Sequence, residues 1–166
     1  MQVVLRPWEK ADRHMLAELA NNIKIWNNVR DRMPHPYNLQ HANAFIKYCR
    51  KQRPPHVLAI EVDGQPAGCI GLELQDDISR ISAELGYWIG ENYWGKGIAT
   101  EAVKQMLEYT FTTFPQLIRI YARVFKHNTA SMRILEKNGF HLEGVQQQSA
   151  IKNNVITDEY IWVKFR

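Results

Sequence analysis

Tyr93-Trp94-Gly95-Lys96-Gly97-Ile98-Ala99-Thr100-Glu101 is the stretch on which the reading of this 166-residue chain turns. It follows an apolar strand pattern, Leu85 to Ile89, and it opens a long amphipathic helix. Glycines at 95 and 97 allow positive φ and let a ligand approach the main chain with no Cβ in the way. The first N–H groups of the helix behind them lack intrahelical partners and sit at the positive end of its dipole. Such a turn is an anion cradle, suited to phosphate.

Two common phosphate motifs fail here. Gly90 to Lys96 reads G-x-x-x-x-G-K, but a P-loop needs Ser or Thr next to hold Mg²⁺, and Gly97 stands there. The dinucleotide fingerprint G-x-G-x-x-G would need a glycine at 100, where the chain has Thr100.

The segment resembles the pyrophosphate loop of the GNAT (GCN5-related) N-acetyltransferases, Gln/Arg-x-x-Gly-x-Gly/Ala. Gly97 and Ala99 match it, and Trp94 stands at the first position, as is usual in the RimJ/RimL-like branch. A second block, Asn128-Thr129-Ala130-Ser131 with Leu135-Glu136-Lys137-Asn138-Gly139-Phe140, is similar to the family's second cofactor motif. Leu5-Arg6-Pro7-Trp8 and Glu84-Leu85-Gly86-Tyr87-Trp88 fit the same branch, so the resemblance spans nearly the whole chain.

The resemblance implies acetyl-CoA as co-substrate, no metal, and transfer of an acetyl group to a primary amine by direct attack in a ternary complex. It implies cofactor contacts at Trp94, Gly95, Lys96, Gly97, Ile98, Ala99 and Thr100. Along Tyr87, Trp88 and Ile89 it implies a strand that splays from its neighbour, pairs its backbone with pantetheine and aims an N–H at the thioester oxygen. Asn128 would bond to pantetheine, and Ser131 would lie near the thiol as proton donor. Both also suit a helix start, Asn128 as N-cap and Ser131 in the first turn.

Alternation along the strand puts Glu84 with Gly86 and Trp88, a composition consistent with one side of a groove. Glu84 is the candidate base. A turn near Ile78 would set Glu73 roughly opposite, and two close carboxylates would raise one pKa toward neutrality. Glu73 or water remains the alternative base, and both glutamates also read as solvated sheet residues. Trp26, Asn28, Arg30, Asp31, Tyr37 and Tyr160 fall where the family walls its acceptor site. The acceptor, a peptide N-terminus or a small-molecule amine, is left open. A non-catalytic acyl-CoA-binding module is the rival reading, separated by thiol release on adding an amine.

Size and composition agree with a single domain over residues 1–166, able to bury about 70% of its unfolded surface. The chain carries 21 Lys and Arg against 17 Asp and Glu, a net charge of +4. That excess steers anionic ligands but does not argue for nucleic acid, and Arg50, Lys51 and Arg53 read as a solvated helix end. No apolar run approaches the ~20 residues of a membrane span, and Met1 to Arg6 does not open a signal peptide. Cys49 and Cys69 form no disulfide framework, and the six histidines show no ligand spacing. These features suit a cytoplasmic protein, a monomer or homodimer.

The periodicity predicts strands over Val3–Trp8, Val57–Val62, Pro66–Leu74, Ile81–Ile89, Leu117–Phe125, Phe140–Gln147 and Val155–Phe165. It predicts helices over Ala11–Asn21, Ile23–Arg32, from Asn38 to the stop at Pro54-Pro55, from Ala99 to Phe114, and Asn128–Asn138. The fold expected is α/β (α+β), a GNAT-like mixed, mostly antiparallel sheet of about seven strands flanked by helices, with a splayed central strand pair.

Overall fold

The computed structural model describes all of residues 1–166. Strand β1 (Val3–Arg6) stops where Pro7 lacks a backbone donor, and Trp8, expected as its last residue, is buried in the core instead. A 3-10 turn at Lys10–Asp12 leads into α1 (Arg13–Ala20). Helix α2 (Ile23–Trp26) is capped by Asn22, whose Oδ1 accepts from the Lys24 N–H at 2.9 Å. The helix expected to reach Arg32 ends there. Asn27 and Asn28 are weak helix formers, and Arg30 and Arg32 turn sideways onto glutamates of the sheet. Helix α3 (Leu39–Arg50) opens on a reciprocal Asn38–His41 cap and buries Ala42, Ile46 and Cys49.

The remaining strands are β2 (Val57–Val62), β3 (Gln65–Leu74), β4 (Ser82–Ile89), β5 (Arg119–Phe125), β6 (His141–Lys152) and β7 (Val155–Phe165). Helix α4 (Ile98–Thr113) joins β4 to β5, and α5 (Thr129–Lys137) joins β5 to β6. The strand order is β1-β2-β3-β4-β5-β7-β6, antiparallel except between β4 and β5. The seven-stranded mixed sheet is thus the one expected. Two hairpins turn on paired left-handed residues, Asp63-Gly64 (φ 48° and 85°) and Asn153-Asn154 (φ 48° and 62°). Strand β6 runs five residues beyond its expected end at Gln147, because its ladder to β7 breaks after Gln146 and resumes at Ala150. Gln148, at φ 49°, lies inside that irregularity, which hides the alternation from sequence reading.

Alternating side chains divide the strands between two cores. Leu58, Ile60, Ile70, Ala83 and Leu85 pack with Ala102, Val103 and Met106 of α4 and Leu135 of α5. Ala59 and Cys69 face the other way, onto Trp8, Leu16 of α1 and Ala42 and Ile46 of α3. The first face is covered by α4 and α5, and the second by α1 and α3 beside β2 and β3.

The feature that positions the site is the short pairing between β4 and β5. Only Ser82–Glu84 meets Arg119–Tyr121; beyond Glu84 the two strands diverge. Leu85–Ile89 keep their ladder to β3 on one side and have no strand partner on the other. This is the expected splay, with Glu84 at its root.

Candidate active site

The glycine turn caps α4 at the wide end of the gap. Gly95 and Gly97 have φ of 73° and 76°, a region that an L side chain enters at a cost of roughly 1–2 kcal/mol. A Cβ on either would meet nothing within 4 Å, so the conformation itself demands glycine. The N–H groups of residues 95–100 find no acceptor in the protein, backbone or side chain. Six consecutive unpaired donors at a helix N-terminus form a concave nest for an anion. Ile98 is buried and anchors the first turn of α4, and Ala99 packs partly against the same core. Thr100 O accepts from Asn138 Nδ2 at 3.2 Å, which ties the end of α5 to the start of α4.

Trp94 stands where the motif has Gln or Arg. Its indole N–H donates to Ile89 O at 2.7 Å, stitching the turn to the end of β4. Lys96 Nζ donates to Asn92 O at 2.9 Å and lies 5.8 Å from the Tyr93 ring. Glu91 receives Lys24 and Asn22 from the other side, so the turn is held to α2 as well.

Along the gap, Trp88 packs against the α1–α3 core while Gly86 is exposed with open space where a Cβ would sit. Tyr87 points to the opposite face, and its hydroxyl reaches Ser131 Oγ at 2.7 Å. Burial pushes the Tyr87 phenol up to about 12. Asn128 Oδ1 accepts from the Ser131 N–H at 3.3 Å, so the capping reading of that asparagine holds. Its amide N–H₂ has no protein partner and stays available to a ligand.

On the other face, an open cleft of about 420 Å³ begins at Glu84. Glu73 and Glu84 are direct cross-strand partners. Arginines stand between them, and the Glu73 carboxyl is shifted opposite to the direction expected of a carboxylate pair. Arg32 bonds Glu73 at 2.8 Å and Arg30 does so at 3.0 Å, which hold that carboxyl below the usual range. Arg30 also pairs with Glu84 Oε1, and Arg123 Nε approaches Glu84 Oε2 at 3.9 Å. Glu84 Oε2 has no hydrogen bond, and the side chain is 11% exposed.

Of the acceptor-wall candidates, Arg30 and Asp31 line this cleft. Trp26 adjoins it through Lys152, whose ammonium lies 3.5 Å from the indole centroid and 2.8 Å from Asp31 Oδ1. Asn28 Oδ1 meets His127 Nε2 at 2.8 Å. Tyr37 is not a wall residue: it is buried in the α1–α3 core, its hydroxyl facing no partner and its pKa raised by burial. Tyr160 does not line the cleft, since its neighbour Glu159 does and alternation turns Tyr160 away. Arg123, Lys152 and Glu159 were not legible as site residues. Their strands give no motif, and only the pairing of β5 with β4, of β7 with β5 and of β6 with β7 brings them toward Glu84.

The chain therefore places a nest of unpaired N–H groups, a strand edge without a partner and a largely buried carboxylate along one gap. Residues 2–141 match the model of the acetyltransferase (GNAT) domain, and the chain belongs to the GNAT acetyltransferase family. It is an N-acetyltransferase, and RimJ is among the proteins it resembles in structure. It is 29% identical to the spermidine N(1)-acetyltransferase of Escherichia coli (strain K12), over 96% of this chain and 88% of that protein. Mycobacterium smegmatis RimJ in complex with CoA-disulfide superposes with a TM-score of 0.86 at 26% identity, over 98% of this chain and 81% of that one. The microcin C7 self immunity acetyltransferase MccE, in complex with acetyl-CoA and AMP, also gives 0.86 at 24% identity, over 99% and 93%.

Proposed function

We propose that this N-acetyltransferase moves the acetyl group of acetyl-CoA to a primary amine by direct attack, in a ternary complex with no acyl-enzyme. The observation that carries the reading is the alignment of the unpaired N–H nest and the root carboxylate Glu84 at opposite ends of the β4–β5 gap. The nest at residues 95–100 holds the pyrophosphate. Pantetheine lies along the open edge of β4 at Tyr87, Trp88 and Ile89 and meets the free amide of Asn128. A main-chain N–H of that edge donates to the thioester oxygen as charge develops there.

The amine enters from the cleft on the other face. An alkyl ammonium has a pKa near ~10, so it must lose a proton before attack. Glu84 takes that proton through Oε2, the oxygen that Arg30 leaves free. Ser131 donates a hydrogen bond to the departing sulfur. The two buried, unpaired thiols, Cys49 and Cys69, suit a cytoplasmic setting.

Relatives acting on spermidine, on L-amino acids and on a ribosomal protein carry the same domain, so the acceptor is a matter for measurement. Purified protein with acetyl-CoA is screened for thiol release against spermidine, free amino acids, aminoglycosides and peptides beginning Ala, Ser or Met. One class releases thiol well above background hydrolysis. Acetyl-CoA binding without release by any amine would leave a non-catalytic acyl-CoA-binding module.

A further inference from the structure

Tyr87 does something that packing does not require. Its ring lies against the main core from β4, yet its hydroxyl crosses to α5 and ends on a single residue, Ser131. Two acceptors are offered there, Oγ at 2.7 Å and the main-chain O at 3.3 Å. A phenol has one proton to give. Either hydroxyl can donate across the shorter contact, which lies at the ordinary O–H···O distance; the longer lies outside that range, so a phenol proton given to Ser131 goes to Oγ. Ser131 Oγ has no other protein partner. With its lone pair engaged by Tyr87, the serine's own O–H is free to turn outward, at the first turn of α5 and beside Asn128. Donation into Oγ also polarises the serine O–H, because chained hydrogen bonds strengthen one another.

We infer that Tyr87 is a positioning residue for departure of the thiol: its phenol donates to Ser131 Oγ and so commits the serine proton to the coenzyme A sulfur. This rests on the reading of Ser131 given above. The step moves no proton off Tyr87. The C–S bond breaks, sulfur keeps the electron pair, and the Ser131 O–H stabilises it by hydrogen bonding until water protonates the thiolate. A phenol held protonated by burial is a constant donor for that purpose across neutral and mildly alkaline pH.

The experiment is a double-mutant cycle in the full chain, with Tyr87→Phe, Ser131→Ala and both together. Acetyl-CoA is the varied substrate, and spermidine, an alanyl peptide and free amino acids are each tried at fixed high concentration. Tyr87→Phe lowers kcat about tenfold, the scale of one hydrogen bond, with the acetyl-CoA KM within twofold and Tm nearly unchanged. In the Ser131→Ala background the same change costs nothing further. In a Ser131→Thr background, where the phenol still has a hydroxyl to meet, it again costs about tenfold. Normal turnover in folded Tyr87→Phe, or losses that simply multiply in the Ala background, would overturn the role. If the wild-type chain turns over no amine, the transferase reading and this one both fall; turnover with an indifferent Tyr87 sinks this one alone.

Discussion

Glu84 is a carboxylate with two faces of business. Oε1 is engaged by Arg30, while Oε2 has only Arg123 at 3.9 Å, too far for a hydrogen bond. An ammonium arriving in the cleft can approach Oε2 without displacing the pair at Oε1. Glu84→Gln keeps the shape and removes the basic oxygen, so kcat falls by about 10²–10⁴-fold and activity shifts toward alkaline pH. Acetyl-CoA affinity, read by calorimetry, stays nearly constant. Glu73→Gln should leave turnover close to wild type, because Arg32 and Arg30 already hold that carboxylate ionised and engaged. Its pKa is lowered in the folded chain, so its ion pairs contribute above the ordinary carboxylate range and are lost as pH falls through the depressed value. With 43% of its side chain exposed, that contribution is small. If Glu73→Gln reproduces the loss and Glu84→Gln does not, the base lies on β3; if neither matters, water takes the proton. Sequence alternation identified Glu84, yet it was silent about Arg30 and Arg123, which reach it from a loop and from β5.

The turn that opens α4 works as a unit rather than through any one side chain. Its donors converge only because Gly95 and Gly97 both adopt positive φ, and Trp94 then pins the turn to Ile89. Gly97→Val imposes a strained φ and projects two methyl groups from the nest. The expected outcome is a folded protein with a modestly lower Tm, consistent with roughly 1–2 kcal/mol of strain, and acetyl-CoA binding weakened by several tenfolds in calorimetry. Unchanged affinity in a folded Gly97→Val protein would put the phosphates elsewhere. This element was legible in advance because every part of it is local: strand, two glycines and helix follow one another within a short stretch. Helix α2 was less so. Its apolar residues continue a helical period, but long-range ion pairs at 30 and 32 override it.

Across the molecule, the cleft beside Glu84 is closed by parts of the chain that meet only on folding. Lys152, at the end of the long β6–β7 hairpin, is buried between the Trp26 ring and Asp31. That clasp ties the last hairpin to the loop after α2, which Arg30 in turn ties to Glu84. Lys152→Met keeps the stem and removes the charge, losing a cation–π contact and an ion pair together. The acceptor KM should rise about three- to tenfold, in line with roughly 1 kcal/mol for such contacts, while kcat and the acetyl-CoA KM move little. Faster amide exchange at residues 150–156 would accompany it; an unaltered acceptor KM would show the clasp has no part in substrate binding. Period, turn residues and the glycine motif were enough to read the seven strands, the long helix and the turn of unpaired N–H groups, since each depends on neighbours in sequence. The divergence of β4 from β5 came from resemblance, and its extent, from Glu84 onward, is seen only in the folded sheet. The ion-pair floor of the cleft, the Lys152 clasp and the bond from Tyr87 to Ser131 depend on side chains far apart in the chain, Arg32 and Glu73 by 41 residues, Tyr87 and Ser131 by 44 and Asp31 and Lys152 by 121, and no local pattern encodes a meeting at such distances.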